Sequence, residues 1–182
     1  GWNQNVGADP GVLGQALQSA AEERGEHPLY ALEKGEMTEL EFSQVVQAHL
    51  PGDIPLDGFR DVYFAHLHPN EPMIDFLAAL RDRGLRMAML TNNVREWEPL
   101  WRSMLPVDEI FEEVVDSAFV GYRKPEAQIY ELTLERIGMP AEACLFIDDL
   151  QPNCEGAEAA GMRAVHFRNN EQAIGEIRAA LS

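Results

Sequence analysis

Two adjacent carboxylates, Asp148 and Asp149, follow the apolar run Cys144-Leu145-Phe146-Ile147, where a buried strand would turn toward a helix. Like charges held that close repel, and a hard divalent cation relieves the repulsion. Mg2+ suits such a pair because it takes a few carboxylate oxygens while keeping waters and phosphate oxygens. Asn153 stands where it could orient one carboxylate from behind. Thr91, with Asn92 beside it, follows a second apolar run, Met87 to Leu90. Its hydroxyl and the neighbouring backbone N–H groups suit a phosphoryl oxygen at the next helix start. Lys124, fixed before Pro125, offers a point charge to a phosphate or a carboxylate. Each has a plainer reading taken alone: an Asp pair or a Thr-Asn-Asn capping a helix, and a solvated surface lysine. All three, however, lie where a strand gives way to a helix or in the loop before one. In an open α/β sheet that is where ligands sit.

The elements that must place these residues can be read from periodicity. Residues 9 to 67 read as consecutive helices without a convincing strand. Asp9-Pro10 opens the first, whose apolar residues Val12, Leu13, Ala16, Leu17 and Ala20 keep helical spacing up to Gly25. Thr38-Glu39-Leu40-Glu41 has capping-box spacing and opens the second. A third is expected from about Asp57 to Leu67. After His68-Pro69 helix and strand alternate. Strands are expected over Leu85–Leu90, Glu113–Val115, Cys144–Ile147 and Ala164–Phe167, with helices between and after them. This alternation predicts an α/β fold, a Rossmann-like parallel sheet core covered by helices on both faces. Residues 1–68 would form a small α-helical cap subdomain and residues 69–182 the core.

Composition narrows the function. With 46% hydrophobic and 25% charged residues among 182, the chain has the makings of a folded globular protein. Its 31 Asp and Glu against 14 Lys and Arg, a formal net charge of -17, argue against nucleic acid or an anionic membrane as partner. An anionic substrate must then meet a local positive centre, a metal ion or individual cations. Two cysteines are too few for a disulfide framework, and no stretch has the length and apolarity of a membrane span, which points to a reducing, cytoplasmic compartment.

In order, strand-Thr91-Asn92, then Lys124-Pro125-Glu126, then strand-Asp148-Asp149 with Asn153, the set resembles three motifs of the haloacid dehalogenase-like hydrolase superfamily. The likeness is strongest over residues 70 to 168. The run from Lys124 to Tyr130 and the later Ala157 and Ala160-Gly161-Met162 look especially like the phosphatase branch that includes the amino-terminal domain of soluble epoxide hydrolases. The resemblance implies a Mg2+-dependent phosphatase acting on a small phosphorylated molecule through an aspartyl-phosphate. It implies that Thr91 and Asn92 bind the phosphoryl group and that Lys124 neutralises nucleophile and phosphate. Asp148 would ligate Mg2+, with Asp149 assisting, and a helical cap would close over the site.

One part of the family pattern is absent. Its active members carry Asp-x-Asp after a first apolar strand, the nucleophile and the general acid-base, and no such segment occurs here. Asp9-Pro10-Gly11-Val12-Leu13 imitates its tail but has one aspartate and no strand before it. A segment of about 10 to 25 residues upstream of Gly1 is therefore expected to hold the nucleophile and the first core strand, and the chain alone is expected to be inactive. Two alternatives are a catalytically inactive binding module and a 2-haloacid dehalogenase, the latter disfavoured by the acidic pair. Other residues read more plainly: His66 and His68 as a hinge, Cys144 and Cys154 as small buried hydrophobes, Trp97 and Trp101 as packing, Arg95 and Arg123 as surface residues.

Overall fold

The protein is described from a computed structural model over residues 11–52, 54, 56 and 58–181. The expected Asp9-Pro10 helix start lies outside the described residues. Helix α1, Val12–Arg24, stops at Gly25, whose N–H returns to the Ala21 carbonyl. Helix α2, Pro28–Glu33, opens with Pro28 behind a His27 side-chain cap. At the start of α3, Glu39–Gln47, the Thr38 hydroxyl accepts from the Glu41 N–H and the Glu41 carboxylate accepts from the Thr38 N–H. This reciprocal cap is the one its spacing predicts. Helix α4 covers Phe59–Ala65. The apolar faces of α1 to α4 meet in one cluster, with Ala16, Leu32, Phe42 and Val46 buried against Trp97, Trp101 and Val107 from further along the chain.

From residue 71 the order is α5 (Glu71–Asp82), β1 (Ala88–Thr91), α6 (Glu98–Ser103), α7 (Val107–Ile110), β2 (Glu113–Asp116), α8 (Ser117–Val120), α9 (Ala127–Ile137), β3 (Leu145–Asp148), α10 (Gln151–Ala159), β4 (Arg163–His166) and α11 (Asn170–Ala180). Strand β1 begins three residues later than the apolar run suggests. Leu85 spends its N–H on the Leu80 carbonyl in the turn after α5, so it cannot join the ladder.

Among the described residues the strands form two parallel pairs, β1 with β2 and β3 with β4, with Thr91 opposite Asp116 and Asp148 opposite His166. Side chains alternate between faces. Phe146 and Leu90 pack with Ile129, Tyr130 and Ala157 of α9 and α10, whereas Leu145 and Ile147 pack with Leu80 of α5 and Ile177 of α11. Helices therefore cover both faces, as the alternating pattern predicts. Residues Ala88–Leu90 and Leu145–Ile147 nevertheless stay only half-buried. Inner strands of a parallel sheet are normally buried on both faces.

Candidate active site

Thr91, Asn92, Lys124 and Asp148 come together at the carboxyl ends of β1 and β3. Thr91 is the last residue of β1, and Asn92 follows directly. The Asn92 side chain grips the Lys124 peptide on both sides: its Oδ1 accepts from the Lys124 N–H at 2.8 Å, and its Nδ2 donates to the Lys124 carbonyl at 3.0 Å. An amide is the one small side chain that can do both, having a donor and an acceptor side by side. The lysine backbone is thereby fixed across 32 residues of sequence.

Its side chain is fixed as firmly. Lys124 is 8% exposed, and its ammonium donates to the Leu90 carbonyl at 2.9 Å and to Asp148 Oδ2 at 2.7 Å. The cation thus ties β1 to β3. The second Asp148 oxygen accepts from the Leu150 N–H and from Asn153 Nδ2, each at 2.9 Å. A carboxylate 9% exposed therefore has a cation on one oxygen and two neutral donors on the other, which keeps a buried charge tolerable.

Behind this pair, Tyr130 is fully buried and donates its hydroxyl to the Asn153 carbonyl at 2.8 Å. Burial first, and then the negative Asp148, push its phenol up. Gly156 lets α10 lie against that ring, for a Cβ there would sit 2.8 Å from the Tyr130 hydroxyl oxygen. Cys154 is buried with its thiol toward the Asp148 and Val165 carbonyls. Burial, then Asp148, raise its thiol, as befits a small packed residue rather than a nucleophile.

Asp149 is exposed beside Asp148, and its backbone carbonyl meets His166 Nε2 at 3.0 Å. Among the described residues no three His, Cys, Asp or Glu side chains converge as a metal cage. Two adjacent carboxylates still fit the hard-oxygen chemistry of Mg2+, which is normally held by one or two carboxylates and retains several waters. His66 uses Nδ1 on the Val62 carbonyl, one turn earlier.

Two features escape sequence reasoning. Arg123 is not a free surface residue: its Nε donates to Glu33 Oε2 at 2.7 Å, with the two side chains 15% and 16% exposed. Arg95 is exposed, as expected, with its guanidinium on the Ala118 carbonyl. Asp116, which ends β2 opposite Thr91, is buried, and its Oδ1 caps α8 through the Ala118 N–H, while Oδ2 has no hydrogen bond among the described residues. Burial, reinforced by Glu98, raises its carboxyl to about 6.

The chain is similar to known proteins over most of its length. The sequence profile of the haloacid dehalogenase-like hydrolases matches residues 13–161. Glyceraldehyde 3-phosphate phosphatase of Methanopyrus kandleri is 33% identical over 116 residues, 62% of this chain and 49% of that protein. Bifunctional epoxide hydrolase 2 of Rattus norvegicus is 28% identical over 142 residues, 74% of this chain and 25% of that protein. The chain thus spans about half the length or less of these relatives. In three dimensions it superposes on the magnesium complex of a HAD family enzyme from Bacteroides thetaiotaomicron with a TM-score of 0.68 at 20% identity, covering 87% of this chain and 85% of that one. That likeness speaks to the fold, and the profile match over most of the chain places it in the haloacid dehalogenase-like hydrolases.

Proposed function

We propose that this chain forms the phosphate-handling part of a Mg2+-dependent phosphatase that cleaves a small phosphate monoester through an aspartyl-phosphate. The observation that carries this reading is the buried Lys124–Asp148 pair, fixed by Asn92 and Asn153, at the strand ends beside Thr91. A preorganised cation next to a hydroxyl and a helix start is what a transferring phosphoryl group requires. The phosphatase names of several relatives favour the same class.

In this mechanism the Thr91 hydroxyl holds a phosphoryl oxygen, while the N–H groups of Asn93 and Val94 stay bound to Ser117 Oγ and Asn93 Oδ1. Lys124 offsets the charge that gathers as nucleophile and phosphate approach, and Asn92 keeps the lysine in register. Asp148 and Asp149 would hold Mg2+, whose role is to neutralise phosphate charge. The attacking carboxylate comes from a further strand lying between β1 and β3, with a second Asp two residues on to protonate the leaving alcohol and then activate water. The half-buried apolar residues of β1 and β3 favour such a strand. The helices before residue 68 act as a cap that selects the alcohol. Without the further strand the chain would not turn over. No helix among the described residues is long and apolar enough to cross a membrane, and a cytoplasmic setting suits the two free thiols.

The test is to express the chain behind an apolar strand ending in Asp-x-Asp and to assay a generic aryl phosphate. Turnover should depend on Mg2+ and vanish in Asp148→Asn. Full activity in that variant, or none in the completed protein, would overturn the proposal.

A further inference from the structure

Arg123 and Lys124 are adjacent cations bound to carboxylates in different parts of the molecule. Lys124 meets Asp148 at 2.7 Å, whereas Arg123 meets Glu33 on helix α2 at 2.7 Å. The Arg123 guanidinium also lies over the Tyr30 ring, 4.0 Å from its centroid. Helix α2 therefore holds this arginine by a carboxylate and by an aromatic face, two interactions to which a planar guanidinium is suited and an ammonium is not. Both charged side chains are largely withdrawn from water, so screening weakens the pair less than it would on the surface.

The main chain of Arg123 belongs to the turn that carries Lys124. Its N–H donates to Glu126 Oε2 at 3.1 Å, and its carbonyl accepts from the Glu126 N–H at 2.8 Å. Asn92 clamps the next peptide. One residue thus has its side chain anchored in the helical unit and its backbone in the lysine turn. Gly35, just past α2, lies so close to Ala118 that the same helix is seated on the core at a second point.

We propose that the Arg123–Glu33–Tyr30 contact is a latch between the helical unit and the phosphate loop, and that Arg123 is a positioning residue that sets Lys124. Displacement of α2 pulls on a turn of only a few residues, so the lysine cannot keep its place while the helical unit moves away. The proposal rests on the reading of Lys124 as a phosphate-site residue.

The experiment is solution NMR on the whole chain, following the Lys124 side-chain signals together with amide exchange over residues 28–35 and 121–126. Each single reversal, Glu33→Arg or Arg123→Glu, should speed exchange in both segments by roughly tenfold and shift the Lys124 signals. The double reversal should restore part of both, since it remakes the ion pair but not the contact of a guanidinium with the Tyr30 ring. Lys124 signals unmoved by the single reversals, or no nearer wild type in the double than in either single, would overturn the latch. If a single reversal unfolds the chain, Glu33→Gln removes the charge while keeping an acceptor in place and gives the same comparison. Loss of phosphatase turnover in the completed protein would strike the functional reading alone, because the coupling of Glu33 to Lys124 is read without substrate.

Discussion

Lys124 Nζ lies 2.7 Å from Asp148 Oδ2, and both side chains are nearly closed off from water. Such a pair costs desolvation, so its net contribution is modest, but loss of one partner strands the other charge in the interior. Lys124→Ala should therefore destabilise the chain by about 3 kcal/mol. Lys124→Arg should recover only part of this, because the longer planar fork cannot reach Asp148 and the Leu90 carbonyl along the same line. Urea unfolding of the three proteins measures the order. Equal midpoints for wild type and Lys124→Ala would show that Asp148 is relieved in some other way.

Asp116 should make stability depend on pH in the sense opposite to a salt-bridged carboxylate. Its folded-state value is raised to about 6, so ionisation is harder in the folded than in the unfolded chain. Its contribution is present in full below the ordinary carboxylate range and is lost as pH rises through about 6. Asn at this position keeps the oxygen that caps α8 and carries no ionisable charge. Asp116→Asn should thus add about 2 kcal/mol at pH 8 and little at pH 4. Thermal unfolding across that range is the check, and a variant no more stable at pH 8 would contradict it.

Gly156→Ala should disturb the site from behind. The new Cβ would come within 2.8 to 3.0 Å of the Tyr130 hydroxyl and ring. Tyr130 is enclosed, packed edge-on against Phe146 and hydrogen-bonded to Asn153, so it has little room to yield. A loss of about 1 to 3 kcal/mol is expected, the range for overpacking a tight core. The Asn153 side-chain signals should move with it. If they stay while stability falls, Tyr130 packs against α10 without bearing on Asp148.

The residues that end strands were legible because apolar runs stop abruptly at polar groups before helix signals. Thr91 and Asp148 follow such runs, and the Thr38–Glu41 cap is written in four consecutive residues. What lay hidden was contact between distant segments. Arg123 and Glu33 stand 90 residues apart, and although Arg123 adjoins the Lys124 motif, nothing beside either residue points to the other. Helix α2 is six residues long, too short for apolar periodicity to show. Asp116 looked like one more acidic residue until the strand placed it opposite Thr91, under the start of α8.

Gly35 offers the sharpest test of how the helical unit is seated. Its φ is +69°, and a Cβ there would lie 2.2 Å from the Ala118 carbonyl oxygen and 2.6 Å from Arg95 Nη2. The arginine tip can swing aside, but the carbonyl belongs to the backbone of α8 and cannot. Left-handed backbone alone costs a side chain about 1 to 2 kcal/mol, and undocking α2 adds to it. Gly35→Ala should destabilise by about 3 kcal/mol or more and release amide protection from Tyr30 to Gly35. Gly14, inside α1 with nothing among the described residues within 4 Å of its Cβ position, is the internal comparison. Gly14→Ala should stabilise the chain by about 0.5 to 1 kcal/mol through helix propensity. Urea midpoints that shift the same way in both variants would mean that the close approach of Gly35 to Ala118 does not hold the helical unit in place.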